Sequence, residues 1–248
     1  MIKTKKIYLL VAFLLISFMI VSCRDHLPPK VAIKNSSIYK EGEVKEILIK
    51  EDMTEVYSGK NPNLSVVATY NNGDLLKVIG VTDDWYVVLL EDQQVGCVEK
   101  SKAVPYVEGR DTKDNVILDD HLLAEEKEMV DLINKERIEV GLEPLIIDLT
   151  LTKIARLKSK DLIEENYFNH YSPTYGSPFE MMEKYKIDYL FAGENLAGHN
   201  SVIGAHHSLM NSTTHRQNIL NPTFTHIGIG MEKGGPYGKV FTQMFIGR

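Results

Sequence analysis

The chain has 248 residues, 44% hydrophobic and 25% charged, with a formal net charge of −6. That composition is globular, with room for one large or two modest domains, and its acidic balance argues against a nucleic-acid partner held by phosphate charge. Two cysteines, Cys23 and Cys97, are too few for a disulfide-stapled secreted domain.

Residues 1–22 open with the basic "MIKTKK" and continue as an uncharged apolar run ending at Ser22. The run suits a signal-peptide core better than a full membrane span, so the chain is expected to be exported. It stops at "IVSC", with a small residue directly before Cys23, which resembles the bacterial lipobox. That resemblance implies cleavage before Cys23, lipidation of its thiol and a membrane anchor on the extracellular face. One acyl chain holds only marginally, at roughly 0.8 kcal/mol per buried CH₂, whereas two or three are firm. An ordinary signal or an uncleaved anchor is the alternative. Cys97, left unpaired in "VGCVE", reads as a small buried hydrophobe.

Residues 23–42, with paired prolines Pro28 and Pro29 and polar turn residues, read as a tether. Residues 43–106 read as β. "LSVVATY" and "LLKVIGV" flank a tight-turn signal at Asn72-Gly73, and "WYVVLL" and "VGCVEK" follow. Short strands, tight turns and one tryptophan describe a small barrel. The stretch "NNGDLLKVIGVTDDWYVVLLEDQQVGCVEKSKAV" resembles the bacterial SH3-like domain, in which a glycine–acid turn, a Trp-bearing strand and a Gly-aromatic-Val strand follow in order. Cys97 stands where that aromatic usually is, and the early arginine-bearing motif is missing from "DMTEVYSGKNPN". The resemblance implies binding of peptidoglycan or peptides; a spacer without a ligand is the bland reading. Residues 107–117 are polar and read as a linker.

Within residues 118–248 the period turns helical. Leu122, Met129, Ile133 and Val140 share a stripe that Gly141 would end. Asp148 is placed to cap a second helix, with Leu151, Ile154, Ala155 and Leu162 on its inner face. Ser177 begins a capping box with Pro178 in the first helical position, and Ser201 could start a fourth helix. "THIGIGM" and "KVFTQMFIG" alternate like strands. Helices bracketing a late sheet make an α+β domain.

Five of the eight histidines lie between Gly193 and Gly230 with Glu194, and His170 lies just upstream. A metal site, an acid–base pair and a hydrogen-bonded cleft would each explain the cluster. His206 falls on an apolar helix face and reads as a satisfied core histidine. His199 and His207 read as surface or cap residues, and His226 as a strand residue on a solvated face.

"LINKERIEVGLEPLIIDLTLTKIARLKSKDL", "FNHYSP", "GENLAG", "SLMNSTTHRQNILNPTFTHIGIG" and "VFTQMF" follow in order the segments of the CAP superfamily, which groups cysteine-rich secretory, plant pathogenesis-related and bacterial SCP-like proteins. The resemblance covers about residues 122–248. It implies a CAP α-β-α sandwich, helices covering both faces of a central antiparallel sheet, here preceded by the small SH3-like β-barrel. Family members often carry a cleft tetrad of two histidines and two acids. By motif position these are His170, Glu194 and His215, with Ser212 in place of the second acid and Leu209 in place of a helical tryptophan. Asn195, Arg216 and Asn218 also fall on motif positions, where buried hydrogen bonds explain them as well as substrate contact does.

The chemistry stays open at this point. Two imidazoles and a carboxylate are ligand types of a catalytic zinc site, with His170 and His215 as metal ligands, although the helical HExxH spacing is absent. Glu194 could instead orient a histidine that shuttles protons. Ser212 could be a nucleophile activated by His215, although no G-x-S-x-G elbow is present. The same residues could also simply hold a binding cleft. The leading expectation is a bacterial cell-surface lipoprotein that binds an envelope ligand (wall polymer, lipid or protein) without turnover. The rival is a zinc-assisted hydrolase.

Overall fold

A computed structural model describes residues 34–108 and 122–248; the signal segment, Cys23 and residues 109–117 of the linker lie outside the described residues. Two sheets organise what is described.

The first is built from β2 (Glu46–Ile49), β3 (Thr54–Tyr57), β4 (Val66–Tyr70), β5 (Leu75–Val81), β6 (Trp85–Leu89), β7 (Val95–Glu99) and β8 (Ala103–Tyr106). Alternate residues point inward, so Ile47, Ile49, Val56, Val88 and Val98 are all fully buried, each contributing about 1.5–3 kcal/mol. They share one core with Ala103 of β8 although β3 and β8 are far apart in the sheet order, so the sheet curls around its contents. Cys97 is buried in that fold, and burial pushes its thiol pKa up.

One expectation for this region, the closed barrel, is corrected. The strands run β4-β3-β7-β6-β5-β2-β8, with edges at β4 and β8, so they do not close into a barrel. The Asn72-Gly73 tight turn is present, but the two strands that flank it do not pair with each other. Gly73 adopts the left-handed φ of 95°, as the sequence signalled. However, its N–H bonds to Ile49 O and Ile49 N–H bonds to Asp74 O, which sends β5 to pair with β2 while β4 pairs with β3.

The second sheet has the order β1-β10-β12-β11-β9, from β1 (Lys34–Glu41), β10 (Phe191–Gly198), β12 (Lys239–Gly247), β11 (His226–Lys233) and β9 (Ile146–Ile147). Helices α1 (Ala124–Glu139), α4 (Val202–Met210) and α5 (Thr213–Ile219) cover one face; α2 (Leu149–Glu164) and α3 (Pro178–Lys184) cover the other. Strand alternation divides the side chains between them. Phe241 and Phe245 of β12 join Met129, Ile133 and Leu209, whereas Met244 and Ile246 join Leu151, Ile154 and Met181. A helix–sheet–helix sandwich results. Gly228 and Gly230 let α2 lie directly on β11, since a Cβ there would come within 2.3 Å of Leu151 C and 2.1 Å of Ala155 C.

The capping signals act as the residues suggest. Asp148 Oδ1 accepts from Leu151 N–H at 2.9 Å, Ser201 Oγ accepts from Gly204 N–H at 3.2 Å, and Ser177 forms a capping box with Glu180. Gly141, at φ 79°, ends α1, but Val140 leaves the expected stripe and is 52% exposed, because the chain has already turned out of the helix.

The largest departure is β1. Residues 34–41 belong to the expected tether, yet they pair with β10 in register from Lys34↔Gly198 to Glu41↔Phe191. The Gly42 N–H continues the pairing to Leu190 O at 2.7 Å. "KNSSIYKE" has no apolar alternation, so only its tertiary partner makes it a strand.

Candidate functional site

Strand β10 is buried along most of its length and supplies both faces of the site from adjacent residues. Glu194 points to the α2 side and Asn195 to the α5 side. Glu194 is fully buried, and its Oε1 accepts from His170 Nδ1 at 2.7 Å. With the carboxylate as acceptor, the proton of that bond sits on Nδ1. Nε2 faces Ser36 Oγ of β1 at 2.7 Å.

His170 sits on a loop fixed from below. Lys158 of α2, fully buried, donates from Nζ to His170 O at 2.8 Å and to Tyr167 OH at 2.9 Å. Tyr167 OH donates to Asp161 Oδ2, which also accepts from Ser172 Oγ at 2.7 Å. Burial pulls the Lys158 pKa down, against the attraction of Glu194 and Asp161. Burial pushes the Glu194 carboxyl up, against the His170 hydrogen bond and the Lys158 charge. Burial would also raise Asp161, but its hydrogen bonds and Lys158 hold it below the usual carboxylate range.

On the other face, His215 of α5 is buried, and its Nδ1 lies 2.7 Å from Ser212 Oγ. Burial lowers the His215 pKa; the Ser36 backbone beside the ring opposes this, and the nearby His170 adds to it. That backbone contact lacks hydrogen-bond geometry, and among the described residues no group bonds His215 Nε2 or Glu194 Oε2. Asn195 Nδ2 donates to His215 O at 3.1 Å and Gln243 Oε1 at 3.0 Å. Asn218 Nδ2 donates to Asn195 Oδ1 at 3.0 Å and crosses to Ile38 O of β1 at 3.1 Å.

Ser36 is thus the residue common to both imidazoles, its hydroxyl on His170 and its backbone beside His215. Sequence reading assigned His170, Glu194, His215, Ser212 and Asn195 but had no signal for Ser36, Lys158, Asp161 or Gln243. Arg216 is exposed. His206 is buried as a core histidine would be, with Glu136 Oε1 3.6 Å from its Nε2, beyond hydrogen-bond distance. His207 is exposed, His199 Nδ1 accepts from Ser201 N–H at 3.1 Å, and the half-buried His226 bonds Thr225.

The metal reading meets a shortage of ligands. A catalytic zinc takes three protein ligands. Among the described residues, no group of three or more His, Cys, Asp or Glu side chains is placed to hold a metal ion. Glu194 Oε1 is engaged by His170, and with the side chains as placed the two imidazoles and this carboxylate do not form the three-ligand set that ion needs.

Residues 130–245 match the profile of CAP, the cysteine-rich secretory protein family. This part of the chain is a CAP domain. The chain is 52% identical over 126 residues to the uncharacterized protein YkwD of Bacillus subtilis, covering 50% of this chain and 48% of that one. It is 39% identical over 125 residues to the uncharacterized membrane protein YlbC of the same organism, covering 50% of this chain and 34% of that one. The match therefore spans about half or less of these curated relatives. A crystal structure of an extracellular SCP-domain protein from Bacillus anthracis is similar at 27% identity and a TM-score of 0.47, covering 70% of this chain and 60% of that one. Among the described residues, no helix is long and apolar enough to cross a membrane.

Proposed function

We propose that this chain is a lipoprotein of the outer face of a bacterial membrane, anchored at Cys23, whose CAP domain binds an envelope ligand without turning it over. The ligand class is wall polymer, lipid or protein, and the cleft is that of His170, Glu194, His215, Ser212 and Asn195. The basic and apolar start of the chain and its "IVSC" stop support export and anchoring. The extracellular and membrane descriptions of relatives agree with that setting.

One observation carries the binding reading. The hydroxyl expected as nucleophile, Ser212, is tied to His215, whereas the carboxylate of Glu194 is tied to His170; the hydroxyl in series with that imidazole and acid is Ser36, which sits within the β1 ladder. A nucleophilic relay needs the hydroxyl, imidazole and orienting acid in series. His215 has no orienting partner on Nε2, so Ser212 lacks the support an activated serine requires. The CAP site is set up to hold polar groups in place and present two open acceptors or donors.

In the N-terminal module, Trp85 stands edge-on to Tyr57 at 6.0 Å and lines a cavity of about 260 Å³ with Asp84, Glu99, Lys100 and Ser101. We assign this SH3-like part a subsidiary contact with peptidoglycan.

Co-sedimentation of the full chain with isolated walls and with lipid vesicles tests the reading. Wild type should sediment with one fraction, and His170→Ala or His215→Ala should lose at least about tenfold in affinity while staying folded. Undiminished capture by both variants would refute a role for the cleft.

A further inference from the structure

Strand β1 lies along β10 as a bound peptide would, and it is loosely secured. None of its described side chains is buried, whereas seven of the eight residues of β10 are. Its main-chain ladder from Lys34↔Gly198 to Glu41↔Phe191 therefore carries much of the attachment. Yet distinct places receive its side chains. Ser36 Oγ meets His170 at 2.7 Å. Lys34 Nζ lies 5.3 Å from the Phe168 ring centroid, and Lys40 Nζ lies 5.3 Å from that of Phe179. Tyr39 stacks on Phe191 at 6.5 Å and leans on Phe224 at 5.9 Å. From the side, Asn218 Nδ2 holds the Ile38 carbonyl at 3.1 Å. Main-chain pairing plus side-chain subsites is how sheet edges recognise extended peptides.

What lies beneath β1 points the same way. Among the described residues, Glu194 Oε2 and His215 Nε2 have no hydrogen-bond partner, on residues only 0% and 4% exposed. A buried polar group left unpaired is destabilising, and β1 as it lies satisfies neither atom, so it does not complete the groove. Segments with few buried apolar contacts open locally well below the global unfolding free energy.

We propose that the edge of β10 between His170 and His215 is a binding groove for an extended peptide with a small hydroxyl residue flanked by basic and aromatic ones, and that Lys34–Glu41 occupies it in cis. The inference rests on the binding reading above and narrows its ligand to a peptide strand. A covalently attached occupant competes at millimolar effective concentration, so a free peptide enters only when β1 is out.

The test uses the full chain carrying Ser36→Pro and Ser37→Pro together. Successive residues of an antiparallel strand turn their N–H groups in opposite directions, so one of the two prolines must remove a ladder bond. The probe is a fluorescent synthetic peptide of sequence KNSSIYKE, with a scrambled peptide of the same residues as control. The double-proline chain should bind KNSSIYKE one to one, at least about tenfold tighter than wild type, and adding His170→Ala should weaken it. A folded double-proline chain that ignores the peptide, or takes the scrambled one equally, would overturn the proposal. Hydrogen exchange on wild type decides independently of that variant's folding. Amides of residues 34–41 should exchange by local opening, well ahead of β11 and β12; exchange only on global unfolding would also overturn it. Loss of peptide binding beside His170-dependent capture by envelope fractions would end this inference and leave the broader binding reading intact.

Discussion

The hydroxyl of Ser36 stands 2.7 Å from Nε2 of His170, a histidine 134 residues further along the chain. That contact makes a segment with the composition of a linker part of the site. Ser36→Ala should cost about 0.5–1.5 kcal/mol, the net worth of one hydrogen bond, and should speed amide exchange in residues 34–41 more than in β12. Urea denaturation and exchange mass spectrometry measure the two effects. Unchanged exchange in β1 would mean that the hydroxyl secures nothing.

Glu194 holds His170 from the core side, and the nature of the acceptor should matter more than its charge. Glu194→Leu leaves His170 Nδ1–H buried and unpaired, for a loss of about 1–3 kcal/mol. Glu194→Gln keeps an acceptor oxygen and should lose less. Equal losses in chemical denaturation would argue that the bond contributes nothing beyond packing.

Arg137 is 1% exposed and makes hydrogen bonds to backbone carbonyls of Glu143, Ile219, Asn221 and Phe224. It thereby pins the α5–β11 connection beneath the site. Arg137→Met fills similar space but orphans those carbonyls, and should destabilise by at least about 3 kcal/mol, given about 1–3 for each buried group left unpaired. Arg137→Lys should rescue only in part, because one ammonium cannot reproduce the guanidinium fork. Thermal unfolding of the three proteins ranks them.

Burial lowers the pKa of His206, and the neighbouring Glu136 opposes that shift. The folded chain therefore resists a proton that the unfolded chain accepts near pH 6.5. Stability from this group is present in full above about pH 6.5 and is lost as pH falls below it. His215 and His226, also lowered by burial, act in the same direction. His206→Leu removes one of these titrating groups, so it should raise Tm more at pH 5.5 than at pH 8. A Tm gain independent of pH would show that His206 does not titrate in this way.

Much of the CAP domain could be read from local signals. Asp148, Ser177, Ser201 and Gly141 mark helix ends through caps and a left-handed turn, physics confined to a few neighbouring residues. The site residues were reached differently: His170, Glu194 and His215 came from motif order, since nothing in period or composition joins positions so far apart. What escaped depends on partners. Strand β10 shows no alternation because both its faces are buried, and β1 is a strand only because β10 offers it an edge. Lys158 looks like a solvated helix lysine until the 167–172 loop surrounds it. The Asn72-Gly73 turn was read correctly, but its strands pair elsewhere because Ile49 takes the hydrogen bonds of Gly73 and Asp74.

The central claim is that His170 and His215 jointly line the surface that meets an envelope ligand. The most direct measurement is nitrogen-15 NMR of the histidine side chains in the full chain, while adding soluble fragments of whichever envelope fraction sediments the protein. The account predicts that the His170 and His215 ring signals shift together and saturate at one equivalent, while those of the exposed His207 stay in place. Saturable binding with both cleft signals unmoved would contradict it.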